Sequence, residues 1–205
     1  MTPFKTLEAI ACPLPLANVD TDQLIPARFM SRPRAAGYGE VLLHGHRFDA
    51  DGALKMDCPL NQPAFAGAAV LVALRNFGSG SSREAAVYAL ADFGFRCVIA
   101  PSFGDIFAAN AVNNGVLPAV VPDDVAQALL DRLAQDARIV VDLETQTIVC
   151  GDLRTNFSID PVWRTKLLNG WDDLDLTLSF KGDIAAFFAR DRADRPWVIP
   201  VAGAR

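Results

Sequence analysis

The chain is poor in the residues that most often announce chemistry. Its 205 residues hold two histidines, and both fall in one tripeptide, His44-Gly45-His46. Four cysteines, Cys12, Cys58, Cys97 and Cys150, are scattered without a C-x-x-C pair, which excludes a local zinc or iron–sulfur motif. They are expected to be reduced thiols of a cytoplasmic protein. No basic block offsets a formal net charge of −5, so a nucleic-acid surface built on phosphate neutralisation is excluded. The apolar strand candidates run for about ten residues, short of the roughly 20 that span a bilayer. The first residues, with Glu8 inside an apolar stretch, lack the layout of a secretory signal. A soluble protein that meets neither membrane nor nucleic acid is expected.

What is present is material for a core. Hydrophobic residues make up 51% of the chain, and the mean hydropathy is +0.21. That suffices for one domain over residues 1–205 without disulfides. Residues 7–16 are apolar and end at Pro13 and Pro15, predicting a strand that leads into the turn-forming stretch 18–22. Residues 26–39 mix Arg28, Arg32 and Arg34 with Pro33, Gly37 and Gly39, predicting a long mobile loop. A short helix or strand over 40–48 and an irregular stretch over 49–65 follow.

From there strands and helices alternate. The pattern predicts strand 68–74, helix 82–93 stopped at Gly94, strand 97–100, and helix 103–113 capped by Ser102 and stopped at Gly115. Strand 116–121 and helix 123–135 come next. Residues 139–149 turn around 144–147 as a hairpin continued by 155–159, and 161–169 and 183–192 predict closing helices. The fold class is α/β, with βα units and a mixed sheet. Trp163, Trp171 and the Phe187-Phe188 pair are expected in the core.

The run N-F-G-S-G-S-S-R-E, residues 76–84, lies between the strand 68–74 and the next helix. Ser81 and Glu84 have capping-box spacing, which predicts a helix start at Ser81 with its orphan N–H groups facing outward. A helix N-terminus carries roughly half a positive charge, and Arg83 adds a permanent one. The turn is expected to draw an anion. A phosphate-binding loop would need a lysine after the second glycine, and the dinucleotide fingerprint fails because Arg83 stands at its third glycine. The order G-S-G-S-S is not that of a nucleophile elbow, and no histidine is near to act as base. His44 and His46 share a face if that piece is extended, but two ligands without a third make no metal site. Asp20 and Asp22 read alone as turn-capping acids.

Taken together, N-V-D-T-D-Q-L-I-P (18–26), residues 76–84, G-F-R-C-V-I-A-P-S-F-G-D-I-F (94–107), N-N-G-V-L-P (113–118), L-L-N-G (167–170) and D-D-L-D-L-T-L (172–178) resemble, in order and spacing, the 3-isopropylmalate dehydratase small-subunit family of the aconitase superfamily. The resemblance covers nearly the whole chain. It implies an aconitase-type swivelling β/β/α domain that docks on a separate large subunit. That partner is expected to carry a [4Fe–4S] cluster, with no metal held by this chain. It also implies a hydro-lyase that moves a hydroxyl between adjacent carbons of isopropylmalate through an alkene diacid, a step of leucine biosynthesis.

By the same match Ser81 is the base that removes the carbon-bound proton, and Ser82 and Arg83 hold the substrate carboxylates. Asp22 faces the site and orients the groups around it, while Arg28, Phe29 and Met30 open the loop that meets the substrate side chain. Family members commonly carry cysteine where this chain has Ser79 and histidine where it has Ala85. Those two changes leave open a smaller 2-alkylmalate, such as methylmalate or dimethylmalate, and a non-catalytic binding module of the same fold. The intact Ser81, Ser82, Arg83 and Asp22 favour the enzyme.

Overall fold

Residues 1–198 are described by a computed structural model. In chain order the elements are β1 (Thr6–Leu14), α1 (Thr21–Leu24), α2 (His44–Arg47), β2 (Val70–Ala73), α3 (Glu84–Phe93), β3 (Cys97–Ala100), α4 (Asp105–Asn113), β4 (Leu117–Val120) and α5 (Asp123–Leu133). They continue with β5 (Arg138–Asp142), β6 (Thr147–Cys150), β7 (Leu153–Asn156), α6 (Pro161–Asn169), α7 (Asp173–Ser179) and α8 (Lys181–Asp194). All the strands join one sheet in the order β4-β3-β2-β1-β5-β6-β7. β1 to β4 run parallel, and β5 to β7 extend the sheet from β1 as an antiparallel meander. The sheet is mixed, as the alternation of βα units followed by a hairpin implies.

Strands β2, β3 and β4 are apolar at every position because both their faces are covered. In β2, Leu71 and Ala73 join the cluster of Ala86, Val87 and Leu90 from α3. Val70 and Val72 point the other way, to Leu129 and Leu133 of α5. Cys97 and Ile99 against Val98 and Ala100 repeat this period of two in β3. The result is a layer on each side of the sheet, with the carboxyl ends of β1, β2 and β3 opening at one edge.

Several local expectations are corrected. α3 begins at Glu84 rather than Ser81 or Ser82, with Arg83 as its extended N-cap residue and no side chain capping it. α4 begins at Asp105 after Gly104, and Ser102 does not cap it; the Ser102 hydroxyl accepts from the N–H of Asn76 at 2.8 Å instead. His44 and His46 lie on the short helix α2, where residues two apart point in different directions, so the shared face is lost. Phe187 and Phe188 are about half exposed on α8 and belong to no core. Residues 26–39 contain two 3₁₀ turns, Ala27–Phe29 and Arg34–Ala36. Asp92 at the end of α3 fastens them, accepting two bonds from the Arg34 guanidinium at 2.6 and 2.8 Å and one from the Tyr38 N–H at 2.8 Å.

One charge is buried outright. Lys166 on α6 is 3% exposed, and its ammonium donates to Asn113 and, at 2.6 Å, to Asp173 at the start of α7. The Lys166 hydrogen bond in turn holds the Asp173 carboxyl below its usual range. Asp173→Ala should cost about 1–3 kcal/mol, because the buried ammonium keeps Asn113 but loses its counter-charge. Lys166→Met, which removes the charge and keeps the length, should cost less; urea denaturation of the two variants checks the order. Since the folded pKa of Asp173 is depressed, its contribution is complete above the unfolded value of about 3.9 and fades as pH falls through the lower folded value. The stability gap between wild type and Asp173→Ala should therefore narrow below about pH 4.

Candidate active site

Three connections leave the carboxyl edge of the parallel strands and are stitched together there. The turn after β1 runs beside the turn after β2: the N–H of Gly78 donates to Val19 O at 2.7 Å and the N–H of Thr21 to Ser79 O at 2.9 Å. The turn after β3 closes the other side, with the Phe77 N–H on Ser102 O at 3.0 Å and the Gly104 N–H on Phe77 O at 2.9 Å. Asn18 and Asn76 both hold positive φ, 57° and 62°, a region asparagine enters more readily than most residues. Their side chains are hydrogen-bonded to each other at 2.8 Å. Asp20 caps α1 by accepting from the Gln23 N–H at 2.7 Å. The carboxyl edge of an open α/β sheet is where such folds take their ligands.

Two close approaches set the shape of the central turn. Gly78 sits at φ +72° with the Phe107 ring directly against it, so that an added Cβ would fall 2.1 Å from the ring. Gly104 faces the carbonyl of the same Gly78, where an added Cβ would lie 2.6 Å from the oxygen. Phe77, Phe103 and Phe107 pack beneath with ring centroids 5.4 to 6.3 Å apart. The α4 N-terminus is thereby wedged under the turn.

Above this floor lies a cavity of about 190 Å³, bounded by Thr21, by residues 78–83 and by residues 104–107. Thr21 is buried, and its hydroxyl donates to the Ser81 carbonyl at 2.8 Å. The carbonyls of Ser79 and Ser81 are both engaged by Thr21, the chain bends at Gly80 (φ +93°), and Arg83 is extended (φ −128°, ψ 98°) before the helix begins. The amide N–H groups from Gly80 to Ala85 find no acceptor among the described residues. A run of unpaired amides in one turn is an anion-binding concavity. Arg83, 17% exposed at its side chain, pairs with the more open carboxylate of Asp22. The turn thus offers amide donors, a guanidinium and the two exposed hydroxyls of Ser81 and Ser82.

Of the residues singled out in the sequence, Ser81, Ser82 and Arg83 line the cavity, and Asp22 reaches it through its pair with Arg83. Ser79 lines it too, while Ala85 packs on the core from the first turn of α3. Arg28, Phe29 and Met30 are not among the lining residues. The Arg28 guanidinium is 3.1 Å from His44 Nδ1 and lies over the Phe29 ring, and the His44 ring sits between those of Phe29 and Phe48. Burial and then the charges of Arg28 and Arg47 hold the His44 imidazole below its usual range. The sequence reading missed Thr21, Asp105, Ile106 and Phe107. Thr21 stood in plain view between two aspartates, but its hydroxyl bond spans 60 residues, and no local pattern encodes that.

The described residues contain no group of three histidine, cysteine or acidic side chains able to hold a metal ion. The cysteines are buried, and burial followed by the neighbouring Cys58 pushes the Cys12 thiol up to about 12. Buried thiols kept protonated are poor ligands for a cluster, so the residues present do not fit one.

Residues 1–124 match the family model of the aconitase C-terminal domain, which sets the class. A 3-isopropylmalate dehydratase of Methanocaldococcus jannaschii shares the fold, with a TM-score of 0.64 at 24% identity over 88% of this chain and 98% of that one. The 3-isopropylmalate dehydratase small subunit of Gluconacetobacter diazotrophicus is 46% identical over 200 residues, 96% of this chain and 97% of its own length. That of a Jannaschia species is 48% identical over 201 residues, 97% of this chain and the whole of its own. The chain belongs to the 3-isopropylmalate dehydratase small-subunit family.

Gly78→Ala should lower the unfolding free energy by about 2–4 kcal/mol, since it combines positive φ with overpacking against Phe107. Gly45→Ala is the contrast: it lies on α2 with nothing within 4 Å of the new methyl and should be neutral or stabilising by up to about 1 kcal/mol. Chemical denaturation of both variants checks the pair.

Proposed function

We propose that this chain is the small subunit of 3-isopropylmalate dehydratase, interconverting 2- and 3-isopropylmalate by dehydration and rehydration in leucine biosynthesis. The observation that carries the reading is that Ser81, Ser82, Arg83 and the unpaired stretch 80–83 border one cavity. The full-length likeness to small subunits of that name supports it. None of the relatives quoted bears the name of a methylmalate or dimethylmalate enzyme, so the smaller 2-alkylmalates are not favoured.

Removing a proton from a carbon next to a carboxylate needs a base placed within reach and a charge-tolerant setting for the intermediate. Ser81 is the base, acting as its alkoxide. A serine alkoxide is far from its ordinary state in water. The nearby amides and the Arg83 guanidinium stabilise it, and such fixed donors act strongly once water is excluded. Ser82 and Arg83 bind the substrate carboxylates, the arginine by its planar two-point fork, and Asp22 holds that fork in bearing. Arg28, Phe29 and Met30 lie outside the cavity of the chain by itself, and meet the substrate side chain in the closed two-subunit complex.

Ser81 and Ser82 are exposed in the chain by itself, and a 190 Å³ cavity is smaller than the roughly 300–1,000 Å³ of self-sufficient ligand sites. The reaction therefore needs a second surface to close over the turn. That surface is the large subunit, which would carry the [4Fe–4S] cluster and with it the Lewis acidity for hydroxyl departure. The pair works in the cytoplasm.

Anaerobic reconstitution with the cognate large subunit should give alkene diacid from isopropylmalate. Absence of turnover in a complex with an intact cluster would remove the enzyme reading and leave a binding module. Ser81→Ala should lower kcat by at least about 10²-fold while leaving assembly unchanged. Near-normal rates would exclude Ser81 as the base. Arg83→Lys should lower kcat/KM by about 10²-fold, since an ammonium does not reproduce the fork; wild-type kinetics in that variant would take Arg83 out of the site.

A further inference from the structure

Helix α4 touches the turn at both of its ends. Its N-terminus is wedged beneath Gly78 through Phe107. At its other end Asn114, the residue that closes the helix, donates through its side-chain amide to the Glu84 carboxylate at 3.1 Å. Glu84 is the first residue of α3 and follows Arg83 directly. The capping-box reading gives Glu84 to Ser81, but here its carboxylate is turned to α4.

Asn114 is itself fixed. Its side chain also donates to Asn110 O at 2.9 Å, and its neighbour Asn113 accepts from the buried Lys166 and donates to Asp173 at 3.2 Å. The end of α4 is thus anchored to α6 and α7, and that anchor ends on the residue next to Arg83. Around Glu84 stand the Tyr88 phenol one turn on, held above its usual range by burial and then by the Glu84 carboxylate, and Arg34, 4.4 Å over the Tyr88 ring. The Asp22–Arg83 pair lies immediately before Glu84.

We propose that Asn114 is a positioning residue for the reaction: by gripping Glu84 it sets where α3 begins and so fixes the bearing of Arg83 and the unpaired amides before it. The role rests on the site assigned under the proposed function, and it adds a residue that touches no reacting atom. A helix that starts one residue early or late would swing the Arg83 guanidinium off its line with Asp22, because successive helical positions differ by about 100°. A hydrogen bond to a charged acceptor is strong enough to select one start over its neighbours.

The test reverses the bond. In the reconstituted two-subunit enzyme, Asn114→Asp sets two carboxylates against each other and should raise the KM for isopropylmalate about tenfold, with kcat less affected. Adding Glu84→Gln restores one donor and one acceptor in the opposite sense and should bring KM back to within about threefold of wild type. Amide hydrogen exchange over residues 81–87 of the small subunit should quicken in Asn114→Asp and recover in the double variant, with the rest of the sheet unchanged. Wild-type KM and unchanged exchange in Asn114→Asp would overturn the inference, as would a KM defect that the double variant does not repair. Those results are distinct from loss of the reaction reading, which would appear as no turnover by the wild-type complex.

Discussion

The site depends on which carbonyls of one short turn are occupied. Thr21 takes two of them, Ser79 O with its N–H and Ser81 O with its hydroxyl. Gly80 between them sits at φ +93°, so the turn bends between the two engaged carbonyls, and its amides from Gly80 onward take no acceptor among the described residues. Without Thr21 the nearest favourable use of those groups is another turn of helix, with the amides consumed or redirected. The buried hydroxyl keeps the stretch open. Gly78, Gly104 and the phenylalanines beneath them fix its height, and Asp22 meets the guanidinium that stands at its end.

This explains how much was legible beforehand. Strands β2, β3 and β4 read correctly because each has four apolar residues bounded by turn residues, and the stops at Gly94 and Gly115 marked helix ends. Ser81, Ser82 and Arg83, singled out in the sequence, border the cavity, so that much of its lining was legible as well. The start of α3 was not. Ser81 and Glu84 have the spacing of a reciprocal cap, yet the Glu84 carboxylate is claimed by Asn114, and Thr21 holds the Ser81 carbonyl, both partners distant in sequence. The same holds for Ser102, whose hydroxyl serves Asn76. Local capping rules fail here where a functional turn recruits the capping groups for another purpose.

The histidines and the terminal aromatics failed differently. The tripeptide at 44–46 has no strong preference, and tertiary packing of Leu42 and Leu43, both fully buried, winds the residues after them into a helical turn. Phe187 and Phe188 carry the composition of a core on a helix that makes none among the described residues. Hydrophobicity alone does not distinguish a residue that packs within its own chain from one that does not.

The position of β1 has a consequence in time. Its residues pair with β2 on one side and with β5 on the other, Thr6 opposite Asp142, so the first of these seven strands to be synthesised is central to the finished sheet. While some 130 residues are still to be synthesised, its β5 edge has unmet donors and acceptors, as an exposed edge strand does. Nascent chains held at that stage are the species most open to pairing with one another. Arrival of β5 is then the event that ends this exposure, and slow codons or a stalled ribosome before residue 138 would prolong it.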